Sequence, residues 1–106
     1  MRWKCLPVAS LLLTGIAVAA EIPPERQLAL RYLVTQDCGS CHGSALRGGL
    51  GPPLLPQTLA GRPRELLVQT ILQGRPGTAM PPWRPFLSPE EADWVVRRLQ
   101  AGEIVP

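Results

Sequence analysis

Apolar residues fall into two kinds of run along this chain. Residues 6–18 are nearly all apolar, whereas from Glu25 onward apolar side chains recur at intervals of three and four, the spacing of one helix face. Leu30, Leu33 and Val34 predict a first helix over residues 25–36, entered after Pro23-Pro24 and leading directly into Cys38. Leu67, Thr70 and Ile71 predict a second over Arg64–Gln73, with Pro63 suited to its first turn and Gly74 placed to end it. The third helix is the best marked. Ala92, Val95, Val96 and Leu99 define its inward face, Ser88 caps it, Pro89 takes its first position and Glu91 completes a capping box. Gly102 follows a last turn near Gln100. Between the helices, residues 43–61 read as a loop in which Gly48-Gly49-Leu50-Gly51-Pro52-Pro53-Leu54 forbids regular structure, and residues 74–83 are again irregular. No segment alternates like a strand, so the expected fold class is all-α with three to four helices.

The continuous apolar run has a different meaning. Arg2 and Lys4 precede it and small residues follow it at Ala17, Ala19 and Ala20, the layout of a cleavable secretory signal. Residues 1–20 are therefore expected to be removed, with cleavage after Ala19 or Ala20 left open, and residues 21–106 to form one domain in the periplasm of a bacterium. The run is shorter than the ~20 residues of a spanning helix, so no stable membrane anchor is expected after cleavage. Removing Arg2 and Lys4 leaves nine arginines against eight acids, a net charge near +1. The basic balance of the whole chain is thus no sign of a nucleic-acid partner, and basic and aromatic residues are not interleaved as such a partner would require. The 86 residues that remain are few for a polypeptide core alone.

Candidate chemistry is concentrated in Cys38-Gly39-Ser40-Cys41-His42. A C-x-x-C-H sequence is the attachment site of covalent haem: each sulfur forms a thioether to a vinyl group, and the histidine that follows is carried over the iron as an axial ligand. A thioredoxin-like pair would need alternating strands and helices around it, and a zinc site would be one ligand short, since Cys5 and His42 complete the inventory of cysteine and histidine. Haem c also answers the size problem, because it is a large apolar disc around which short helices can bury their stripes.

Iron in an electron carrier takes a second protein ligand. With the leader gone, Met80 is the only methionine, no lysine or second histidine remains, and Tyr32 lies too near His42 in sequence to reach the other face. Met80 is therefore the expected second ligand, held by the rigid prolines Pro81 and Pro82 after it. Filling a core gap is the alternative use of a loop methionine. Trp83, with Arg75 or Arg47 as charge partner, is a candidate for the haem propionates or else packs against the ring. Trp94 falls off the inward stripe of the last helix, which leaves it exposed for a partner or shielding the haem edge.

These parts, in this order, resemble the class I cytochromes c over essentially all of residues 21–106. The resemblance rests on the first helix running into Cys38–His42, Gly51-Pro52-Pro53-Leu54, the middle helix, Ala79-Met80-Pro81-Pro82 and the helix after Ser88-Pro89-Glu90-Glu91. It implies helices wrapped around one haem c, with the first and last crossing near it, and a hydrogen bond from His42 to the Pro52 carbonyl. The chain departs from many members in having no lysine after residue 20, so a lysine docking ring does not carry over. The start Arg62-Pro63-Arg64-Glu65 and the loop Gly77-Thr78-Ala79-Met80-Pro81-Pro82-Trp83 are similar to the small NirC-type cytochromes of denitrifying bacteria. That narrower likeness implies electron exchange with cytochrome cd nitrite reductase or with the enzymes that mature its haem.

The expected function is accordingly electron transfer between redox proteins, not catalysis. A general electron donor to a terminal oxidase or other periplasmic reductase is one alternative, and a haem ligand sensor from which Met80 detaches is another. The chain is read as a monomer. Exchange of the last helix between two chains is the alternative that the irregular residues 74–88 raise.

Overall fold

A computed structural model describes residues 2–15 and 21–104. Residues 2–15 are exposed and without helix, and the expected cleavage positions at residues 17–20 lie outside the described residues. No described helix is long and apolar enough to cross a membrane.

The rest is helical, and no strand occurs among the described residues. Helix α1 spans Pro24–Leu33 and runs without a break through a π turn, Val34–Cys38, into a short α2, Gly39–His42. The expected first helix therefore extends farther than residue 36. Its wide turn has a geometric consequence. Leu30, Val34, Cys38 and His42 follow one another at intervals of four, and on a regular α-helix each step would drift about 40° around the axis, about 120° in all. One extra residue taken up in the π turn cancels most of that drift. Leu30 and Val34 are completely buried, and Val34, Cys38 and His42 line one cavity. Thr35 Oγ1 donates to the carbonyls of Arg31 and Tyr32 at 3.0 and 3.1 Å, giving partners to backbone at the altered turn.

Helix α3, Pro56–Leu59, lies within the stretch expected to be loop. Its proline occupies the first turn, where the missing N–H costs nothing, so the same residue that breaks a helix interior starts this one. The segment 48–54 before it is irregular as expected. Helix α4 spans Arg64–Gln73 and stops at Gly74, whose φ of 68° suits glycine. It has two inner faces. Val68 and Leu72 are buried in the core, while Leu67, Thr70 and Ile71, the residues whose spacing marks the helix in the sequence, line the cavity.

Helix α5, Pro89–Ala101, packs against α3 and α4 and touches α1. Ala92, Val95, Val96 and Leu99 are all buried as expected, and Gly102 closes the helix in the left-handed region. Both halves of the capping box form: Ser88 Oγ accepts from the Glu91 N–H at 3.1 Å and Glu91 Oε1 accepts from the Ser88 N–H at 3.0 Å. Trp94 corrects the sequence expectation, since it is neither exposed nor at the cavity: it is 4% accessible, with the guanidiniums of Arg31 and Arg98 over its ring, 5.4 and 5.3 Å from the centroid. Both arginines also bond Glu103, which ties the end of the described chain back to α1.

Arg26 of α1 pairs with Glu91 at the start of α5, and that hydrogen bond holds the Glu91 carboxyl below the usual carboxylate range. Because the folded value is the lower one, the contribution is fully present above the unfolded value of about 4.3 and is lost as pH falls through the folded value. Arg26 is 40% accessible, so the effect is under about 1 kcal/mol. In urea titrations at a series of pH values from 7 downward, Glu91→Gln is expected to be less stable than wild type at pH 7, with the gap narrowing once the pH falls below the usual carboxylate range. A constant gap between the two would refute the linkage.

Candidate functional site

The helices close on a cavity of about 510 Å³. Its walls are largely apolar: Leu33 and Val34 from α1 and the π turn, Leu59 from α3, Ile71 from α4, Val95 and Leu99 from α5. Into this apolar space project the chemically able side chains of the sequence pattern, Cys38, Cys41, His42 and Met80.

Cys38 and Cys41 lie one turn apart across the junction of the π turn and α2, with no disulfide between them. Burial pushes the Cys38 thiol up to about 11, and the neighbouring Asp37 carboxylate adds to the shift. Before haem attachment the thiol is therefore protonated and uncharged at neutral pH, in keeping with an apolar pocket.

His42 is aimed by the loop that follows it. Gly51 N–H donates to the Cys41 carbonyl at 2.8 Å and Gly48 N–H to the His42 carbonyl at 2.7 Å, folding residues 43–51 back onto α2. The fold-back brings the Pro52 carbonyl to 2.7 Å from His42 Nδ1, as the family resemblance implies. A carbonyl only accepts, so Nδ1 is the donor and Nε2 is the nitrogen left to face a metal. Gly51 is the contact surface behind the ring: a Cβ there would lie 2.7 Å from Cε1 and 2.8 Å from Nδ1 of His42. Loop 43–54 also contains Leu46, buried at 3% and held at φ 59°, which accepts from the Leu54 N–H at 2.9 Å.

Met80 is half-buried and lies in the loop between α4 and α5. The loop's exit is pinned to α4, because Trp83 N–H donates to the Ile71 carbonyl at 2.9 Å and Arg84 N–H to that of Leu72 at 3.2 Å. Trp83 lines the cavity and tilts 58° against Phe86 at 5.8 Å between centroids. Arg75 also lines the cavity, but Arg47 is exposed and outside it. The second lining cation is Arg62, which the sequence reading missed; its place just before α4 was the available signal.

A single apolar cavity thus gathers two thiols one turn apart, an imidazole with a free Nε2, a thioether sulfur and a glycine where any side chain would strike the imidazole. This donor set fits haem c. Together, the all-α fold and this cavity define a class I c-type cytochrome with covalently bound haem c and an electron-transfer role. The chain belongs to the family of c-type cytochrome domains described as cytochrome c oxidase, cbb3-type, subunit III, whose model matches residues 25–97. It is 60% identical over 81 residues to cytochrome c55X of Pseudomonas aeruginosa, a match covering 76% of this chain and 68% of that one. The solved structure of the c-type cytochrome NirC superposes with a TM-score of 0.78 at 58% identity, covering 80% of this chain and all of the other. A weaker relation, 38% identity over 89 residues, links 84% of this chain to 17% of the dihydro-heme d1 dehydrogenase of Pseudomonas aeruginosa.

Proposed function

We propose that the chain is a periplasmic one-electron carrier of denitrification, exchanging electrons with cytochrome cd nitrite reductase or with enzymes that mature its haem. Residues 1–20 are the leader and residues 21–106 the working domain. Haem iron supplies the reversible one-electron couple. Cys38 and Cys41 would hold the macrocycle through thioethers, and His42 and Met80 would bind its iron. The observation that carries the electron-transfer reading is the 2.7 Å bond from His42 Nδ1 to the Pro52 carbonyl within the cavity that Met80 also lines, since it frees Nε2 for iron and fixes the ring. A filled coordination sphere changes little between oxidation states, which suits a shuttle rather than a catalyst. The pathway reading is supported by the likeness to NirC and by the shared segment of a dehydrogenase whose name gives dihydro-heme d1 as its substrate.

Sulfur ligation is expected to give the oxidised protein a weak far-red charge-transfer band. Met80→Ala should abolish the band and lower the potential, because a thioether favours reduced iron. An unchanged potential would show that another group holds the position. Stopped-flow mixing of the reduced protein with nitrite reductase, and of the oxidised protein with dihydro-heme d1 dehydrogenase supplied with its dihydro-haem substrate, tests the partners. Failure to exchange electrons with either would remove the denitrification reading.

A further inference from the structure

We propose that Thr78 is a positioning residue for the Met80 thioether, its hydroxyl closing the 75–80 loop so that the sulfur stays on the iron and small ligands are kept off. The inference rests on Met80 as the second axial ligand. It comes from the hydrogen bonds of a loop whose two ends meet: Arg75 N–H donates to the Met80 carbonyl at 3.1 Å. Within the ring so formed, Thr78 N–H and Thr78 Oγ1 both donate to the Arg75 carbonyl, at 3.0 and 2.6 Å. The same Oγ1 accepts from the Met80 N–H at 3.3 Å. One hydroxyl therefore bridges the first residue of the loop to its last. No other described side chain hydrogen-bonds within this loop, and Thr78 itself lines the cavity.

The surroundings limit what else could hold Met80 in place. Gly74 abuts the loop's exit, where a Cβ would lie 2.7 Å from the Met80 carbonyl oxygen and 2.8 Å from Pro82 N, so the backbone has no room to settle toward α4. Pro81 and Pro82 stiffen the other side. Freedom remains inside the loop, at Arg75 to Ala79, where Gly77 has φ 78° and nothing within 4 Å of an added Cβ. That freedom is what the Thr78 hydroxyl removes. Without it the Met80 N–H turns to water, the loop gains conformations, and each added conformation with sulfur off the iron opens the position to a competitor.

The test is a titration of oxidised holoprotein with imidazole, followed by loss of the far-red band. Thr78→Val is expected to bind imidazole about three- to tenfold more tightly than wild type, the scale of one net hydrogen bond. Thr78→Ser, which keeps the hydroxyl, should restore wild-type affinity, and Met80→Ala should bind far more tightly than either. Thr78→Ala replaces the valine variant if the methyl that takes the place of the hydroxyl disturbs the loop. Wild-type affinity in Thr78→Val alongside tight binding in Met80→Ala would overturn the role of Thr78 and leave Met80 as ligand. Equal behaviour of Thr78→Val and Thr78→Ser would overturn it also, since the hydroxyl would not be the cause. Unchanged affinity in Met80→Ala would overturn both readings.

Discussion

On the proposed ligation, a Gly51→Ala variant is expected to keep its thioethers yet hold iron through His42 about 10- to 100-fold more weakly, the usual cost of disturbing a group that orients a metal ligand. The reason is local and steric. The methyl would come within 2.7 to 3.2 Å of three atoms of the imidazole, and carbon does not approach ring atoms so closely. Something must move. Gly51 is tied to Cys41 by its N–H and to Gly49 by its carbonyl, so the backbone is the less yielding partner. The ring is the part that turns, which breaks the 2.7 Å bond to Pro52 and points Nε2 away from its target. Gly51 is not among the residues with positive φ, so backbone strain from an added Cβ is not the cause. The ferric absorption spectrum gives the measurement: wild type should be low-spin throughout, and the variant should show a substantial high-spin fraction. A wholly low-spin variant would mean that the loop yields instead of the ring.

The contrast between what the sequence disclosed and what it hid follows from where the information lies. Capping chemistry is local, so Ser88, Pro89, Glu91 and Gly102 marked the last helix almost to its observed ends. The bounds Arg64–Gln73 were legible for the same reason, from Pro63 before and Gly74 after. The cavity-facing stripe of α4 was legible too, but Val68 and Leu72 were not, because one helix here serves both a polypeptide core and a space for a cofactor. Periodicity assumes a single inner side. The π turn was hidden since it is a one-residue excess over the α period, visible only once Cys38 and His42 are required to share the cavity with Val34. Trp94 was misplaced because position on a helix wheel ignores long neighbours: the arginines that look solvent-bound bring their guanidiniums over its ring. Arg47 looked close to the site in sequence and Arg62 distant, yet chain return rather than sequence separation decided which one lines the cavity.

Protein prepared without haem, most simply as the Cys38→Ala, Cys41→Ala double variant purified free of pigment, is expected to lose its native fold. An enclosed apolar cavity is penalised by about 24 cal/mol per Å³, which for a space of this size sets an upper bound of about 12 kcal/mol, against a total stability of about 5–15 kcal/mol for a small domain. The cavity of about 510 Å³ is partly open, so water and wall collapse would reduce that figure, but collapse has its own cost here. Val34, Leu59, Val95, Val96 and Leu99 are buried residues that also line the cavity, so moving them inward unpacks the helix contacts on their other sides. Local signals cannot compensate, because α3 is only four residues long and α4 only ten, too short to persist without packing. Helix α5, with its complete capping box, is the element expected to keep residual helicity. Far-UV circular dichroism should therefore show most of the helical signal gone, with no cooperative thermal transition. A haem-free variant that melts cooperatively from a holoprotein-like spectrum would show that the polypeptide core is sufficient by itself.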